Sequence, residues 1–172
     1  MIRIDKDNLD KSDLKCFRKA AKFAMDKFLT KPQQNKMTIF IDFNSDNHLN
    51  NKWQGECSYI GCENGRKRFN VTLRNTIDNR AKNTILRRAN TLRTLFHEMT
   101  HVKQYMCGEL FDYANGNVKH QGYIYENFDY WDCPWEIEAY GLENGLLVKF
   151  LAEHQLFKYF KEREQDWIPN NL

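Results

Sequence analysis

The pentapeptide His97-Glu98-Met99-Thr100-His101 constrains this chain more than any other stretch. It reads H-E-x-x-H, and residues four apart on a helix lie on one face, a turn from each other. That spacing lets His97 and His101 grip one metal ion, while Glu98 can reach a metal-bound water as general base. The flanks carry Leu92, Leu95, Phe96, Met99, Val102 and Met106 as an apolar stripe at helical spacing. Gly108 supplies a C-terminal stop, so the helix is predicted from between Thr84 and Thr91 to about Cys107.

Upstream, Leu14, Phe17, Ala21, Ala24, Met25 and Phe28 predict a first helix over 13–29, with Ser12 as its cap and most of the lysines on its wet face. Met37–Phe43 reads as a strand, and Arg68–Arg74 alternates Phe69, Val71 and Leu73 against polar neighbours. A shorter strand is expected over Glu56–Ile60, turning at Gly61–Gly65. Short connections between these strands predict a small antiparallel sheet, with the metal helix packed across it and Arg68–Arg74 outermost. The polar 44–55 loop makes its His48 a surface residue. Past Gly108, Leu110–Tyr113 and Gly122–Tyr125 flank Asn115-Gly116, a hairpin turn signal. The aromatic run from Tyr113 to Trp131 is predicted to wall a cleft or plug it. Pro134 opens a last long helix, in which Gly141 and Gly145 suggest close approach to another helix. Its apolar stripe is read as Ile137, Tyr140, Leu147, Phe150, Leu151, Phe157 and Phe160, with Trp167, Ile168 and Pro169 folding back on the body.

Catalytic zinc takes three protein ligands and leaves a position for water. The candidates for the third are His120, His154, Glu136, Glu138 and Glu143. Glu136 sits in the first turn of the helix opened by Pro134, where the backbone fixes its position. Glu138 lies roughly 200° further round the helix, so the two cannot face one metal. Tyr140, one turn beyond Glu136, can donate a hydrogen bond to a ligand or a developing oxyanion, with His120 and Tyr130 behind it.

HEMTHVKQY followed by PWEIEAYG resembles the gluzincin metallopeptidases, and within them the small SprT-like or minimal-gluzincin proteins of bacteriophages. The resemblance covers about residues 84–150. It implies an E-x-x-A motif whose glutamate ligand is Glu136, with Ala139 against the first helix, and Gln104 completes an H-E-x-x-H-x-x-Q form. It departs in lacking the second-helix aspartate that supports a zinc histidine, Tyr140 standing there instead, and in lacking a basic or zinc-ribbon tail for DNA.

The expected fold is therefore one α+β, zincin-like domain over 1–172, its small antiparallel sheet packed on the H-E-x-x-H helix and a second, glutamate-bearing helix. The expected activity is peptide hydrolysis, with Zn2+ on His97, His101 and Glu136, Glu98 as base and Tyr140 stabilising the oxyanion. The alternatives are a zinc-bearing phage protein that binds a host partner without turnover, and a nucleic-acid-associated SprT-like protein. The 172 residues suffice for a core without staples. A balance of 26 basic against 23 acidic residues argues little for nucleic acid. No run approaches membrane-spanning length, and the odd set Cys16, Cys57, Cys62, Cys107 and Cys133 fits free thiols in a reducing cytoplasm, the host's if the chain is of phage origin. The substrate is expected to be a protein or peptide; oligomeric state is left open.

Overall fold

Two strands turn a row of buried apolar residues to one face, and they form the centre of the main sheet. Strand β2 (Met37–Asn44) buries Met37, Ile39, Ile41 and Phe43; β4 (Arg66–Arg74) buries Phe69, Val71 and Leu73. Their register places Ile39 beside Phe69, Ile41 beside Val71 and Phe43 beside Leu73, so one face is a continuous apolar surface. The computed structural model describes residues 1–5, 9, 11–44, 54–74, 84–154 and 156. His48, most of the 44–55 loop, the stretch after Arg74 up to Asn83, and the aromatic tail with Phe157, Phe160 and Trp167–Pro169 lie outside them.

The architecture is mixed α+β. Strand β1 (Ile2–Ile4) leads through α1 (Lys11–Phe28) and the short α2 (Lys31–Asn35) to β2, and β3 (Gly55–Glu63) forms a hairpin with β4. The sheet order is β1-β2-β4-β3. The antiparallel sheet expected from the sequence is thus corrected to a mixed one. Pairs β1–β2 and β2–β4 run parallel, and only β3–β4 is antiparallel. The reason is topological: α1 provides the long crossover that parallel neighbours need, and β1 is too short to declare itself by alternation. The same order overturns the expectation that Arg68–Arg74 is outermost, because β4 is interior and β3 forms the edge. Strand β3 also runs through Gly61, which takes φ +104° at a register shift between Tyr59 and Cys62. The hairpin turns at Asn64-Gly65, the far end of the expected Gly61–Gly65, both with positive φ, the geometry of a type I′ turn.

Helix α3 (Thr84–Cys107) packs on the apolar face of the sheet, and α4 (Pro134–Glu153) packs on α3. Phe23 of α1, Phe96 of α3 and Phe150 of α4 meet edge-to-face with centroids 5.5–6.0 Å apart, tying the three helices at one point. Helix α1 begins at Lys11, one residue before its expected cap Ser12. The buried face of α4 is Trp135, Glu136, Ala139, Glu143, Leu146 and Phe150, while Ile137 is exposed, so the predicted apolar phase was partly off. Gly141 and Gly145 have no neighbour within 4 Å of where a Cβ would stand, so close helix approach is not their role.

Between α3 and α4, β5 (Leu110–Asp112), β6 (Val118–His120) and β7 (Tyr123–Tyr125) form a three-stranded meander. The Asn115-Gly116 turn joins β5 to β6, not to Gly122–Tyr125 as the sequence suggested. Leu110, Val118, Cys133 and Trp135 make a second, small core beneath it. Among the described residues no helix is long and apolar enough to cross a membrane.

Candidate metal centre

The buried phase of α3 carries the H-E-x-x-H side chains inward because Leu92, Leu95, Phe96, Met99 and Val102 fix its rotation against the sheet and α1. His97, Glu98 and His101 are accordingly all buried. Proline at the first position of α4 starts that helix just before Glu136. The three side chains His97, His101 and Glu136 come together with one ligand atom of each within 4.8 Å of the others. His97 Nε2 stands 3.2 Å from His101 Nε2 and 3.2 Å from Glu136 Oε2, and His101 Nε2 is 3.4 Å from Glu136 Oε1.

Hydrogen bonding fixes which nitrogens carry protons. His97 Nδ1 lies 3.2 Å from Glu143 Oε2, and a carboxylate only accepts, so Nδ1 is the donor. Gln104 donates its amide to the Trp135 carbonyl at 3.0 Å and to Glu138 Oε2 at 2.8 Å, which turns its Oε1 toward His101 Nδ1 at 2.8 Å. That nitrogen also donates. Both Nε2 atoms therefore present lone pairs to each other and to a carboxylate, and a proton or a metal ion must sit among them. Tetrahedral zinc with bonds of about 2.0–2.1 Å separates its ligand atoms by about 3.3 Å, which the observed spacings match. The donor set and its outer hydrogen bonds fit such an ion.

The metal-free electrostatics say the same. Burial works against charge on His97, but hydrogen bonds to Glu136 and Glu143 and the nearby carboxylates raise it to about 9. His101 is raised in the same way against its burial. Glu136 is disfavoured as an anion by burial yet held down at about 2 by hydrogen bonds to His101 and His97. Glu98 is no part of this triad. Burial pushes it up to about 7, against the pull of His101 and His97.

Glu98 lines a small cleft of about 110 Å³ together with Gly55, Arg93, His97, Tyr130 and Tyr140. Tyr130 donates to Glu136 Oε2 at 2.7 Å, and its oxygen is 3.4 Å from that of Tyr140. Tyr140 stands edge-on to His97 at 4.5 Å and stacks on Trp131 at 5.7 Å. Both phenols thus reach the cleft, Tyr130 being the one bonded to a ligand residue. The rest of the aromatic run does not wall it: Tyr113 and Tyr123 are exposed, and Tyr125 and Phe128 pack on Trp135.

Of the other candidate ligands, Glu138 bonds Lys103 and Gln104, His154 ends α4 against Phe23 and Phe150, and His120 is buried beside Trp135. His120 does not line the cleft, so its place behind Tyr140 is not realised. Glu143, weighed in sequence as a ligand, orients His97 instead, and Arg93 Nε stands 3.5 Å from its second oxygen. Seven residues past Glu136, about two turns, Glu143 shares its face, a spacing that was available in the sequence. Gly55 gave no signal at all. A Cβ there would stand 2.7 Å from Glu98 Oε1 and 2.6 Å from Thr94 Cγ2, so only glycine leaves room for the Glu98 carboxylate.

No protein-family model, curated protein or solved structure matches the chain.

Proposed function

We propose that this chain is a zinc-dependent peptidase of zincin type, with His97, His101 and Glu136 holding the ion. The observation that carries the reading is the convergence of two Nε2 lone pairs and a carboxylate at 3.2–3.4 Å, with both Nδ1 atoms tied back. When bound there, zinc polarises a carbonyl and brings the pKa of water to about 7. Glu98, buried beside the two histidines, takes the proton of the attacking water and delivers it to the leaving amine. Glu143 and Gln104 hold the two imidazoles in the tautomer that leaves Nε2 free. Tyr140 supplies the hydroxyl nearest the cleft that suits the charge developing on the carbonyl oxygen, while Tyr130 donates its proton to Glu136 and holds that carboxylate. Strand β3, which begins at Gly55 beside Glu98, is the edge of the sheet among the described residues, a position that suits pairing with an extended peptide.

The test is a digest of an unbiased peptide library by the zinc-loaded protein beside Glu98→Gln. Cleavage by the parent, with loss in a variant that retains zinc, supports the proposal. Equal zinc content with no cleavage above the variant's background makes it a metal-bearing binding protein instead.

A further inference from the structure

On the face of the main sheet opposite α3, β1, β2 and β4 meet the β3–β4 turn around a cleft of about 320 Å³. Arg3, Arg66 and Arg68 line it together with Thr38 and Phe40. The register explains the gathering: Arg3 pairs with Phe40 across β1–β2, and Thr38 pairs with Arg68 across β2–β4. The guanidinium carbons of Arg3 and Arg68 lie 5.6 and 5.1 Å from the centre of the Phe40 ring.

The charges in this cleft do not balance. Glu63 is the sole carboxylate among its lining residues, and it takes Arg68 Nη1 at 3.1 Å. Arg3 Nε reaches only the Met1 sulfur at 3.4 Å, and neither Arg3 nor Arg66 has a carboxylate partner among the described residues. Arg68 Nε is buried and makes no hydrogen bond among the described residues. A guanidinium cannot discharge to relieve crowding, and the Arg68 donor is open to an acceptor, water or anion. Three arginines on one cleft thus call for an anion.

We propose that this cleft binds a phosphate group. A carboxylate offers two oxygens and suits one guanidinium fork, whereas a phosphate offers enough oxygens and charge to engage several at once. The volume also falls within the range of about 300–1,000 Å³ usual for small-molecule sites, so there is room for an organic body behind the phosphate. The Thr38 hydroxyl and the Phe40 ring lie where that body would rest. The lysines of α1 offer another cationic surface, but it lacks a buried donor without an acceptor, and it serves as the internal control.

The full chain, in metal-free and zinc-loaded forms at constant ionic strength, is titrated with inorganic phosphate and with adenosine 5′-monophosphate. Calorimetry gives the affinity and NMR follows the arginine Nε–H signals. The expected result is saturable one-site binding in both forms, with the Arg68 Nε–H signal moving most. Arg3→Gln and Arg66→Gln should each weaken it roughly tenfold or more, the cost of a lost charged hydrogen bond. Lys15→Gln with Lys19→Gln should leave it unchanged. Arg68 is left in place because it also pairs with Glu63 and packs on Phe40. Tighter binding of the monophosphate points to a phosphate ester, and equal binding to free phosphate. No saturable binding of either probe at tens of millimolar, or binding undiminished in both arginine variants, overturns the proposal.

Discussion

Glu143 Oε2 lies 3.2 Å from Nδ1 of His97, two turns along α4 from Glu136, whose own Oε2 is 3.2 Å from Nε2 of the same ring. One helix thereby addresses both nitrogens of a single imidazole, one carboxylate at the metal side and one behind it. Replacing such an outer partner typically costs 10- to 100-fold in metal affinity. Glu143→Gln is expected to lower zinc affinity by about that factor, measured by competition with a chelating dye, while leaving the fold unchanged by circular dichroism.

The same helix separates two glutamates that the sequence placed two residues apart. Glu136 faces both histidines, and Glu138 faces Lys103 and Gln104. Glu136→Ala is expected to abolish stoichiometric zinc in metal analysis. Glu138→Ala removes a partly exposed ion pair and one acceptor of Gln104, so affinity should fall by about tenfold at most. The reverse ranking would falsify the assignment of the third ligand.

Gly55 and Glu98 give a test of the base separate from the metal. A methyl group at position 55 would stand 2.7 Å from Glu98 Oε1, which must move. If peptide turnover is found, Gly55→Ala is expected to lower kcat by about 100-fold, since a misplacement of about 1 Å costs that much. Zinc content should stay stoichiometric, because the atoms nearest a methyl group at position 55 belong to Thr94 and Glu98 and not to His97, His101 or Glu136. Loss of metal along with activity would assign Gly55 a structural role only.

The pH dependence of the metal-free protein follows from the triad. His97 is raised from 6.5 to about 9, so its contribution to stability is full below about 6.5 and is lost as pH rises through about 9. Glu136 is lowered from 4.5 to about 2, so its contribution is full above about 4.5 and is lost as pH falls through about 2. Glu98, raised from 4.5 to about 7, adds a contribution that is full below about 4.5 and lost as pH rises through about 7. Thermal melts after chelation should therefore peak near pH 4.5 and fall by roughly 5 °C or more toward pH 9. Zinc takes the place of the shared proton, so the loaded protein should lose the decline between about pH 6.5 and 9, and binding in that window should release protons to the buffer.

The aromatic contact beneath the site is a stability test. Phe96 is fully buried between Phe23 and Phe150, immediately before His97. Phe96→Ala is expected to destabilise by about 3–5 kcal/mol in urea unfolding of the zinc-free protein. A loss below about 1 kcal/mol would mean that the three helices are not tied there.

What the sequence determined by itself is what short-range periodicity encodes. The i, i+4 spacing set His97 and His101 on one face, Pro134 fixed where α4 begins and hence where Glu136 stands, β-branched and aromatic content marked β2, and alternation marked β4. Each depends only on backbone geometry within a few residues. Tertiary structure decided the rest, because strand order and side-chain partners join segments with no local signature of each other. Ile2–Ile4 becomes a strand only by pairing with Ile39–Ile41, which makes the sheet mixed and leaves β3 at its edge. Gly55 matters only because β3 brings it against Glu98, and Glu143 acts on His97 only because α4 packs on α3 in one particular rotation. Arg3, Arg66 and Arg68 share a cleft for the same reason: parallel pairing of β1, β2 and β4 gathers charges that are scattered along the chain.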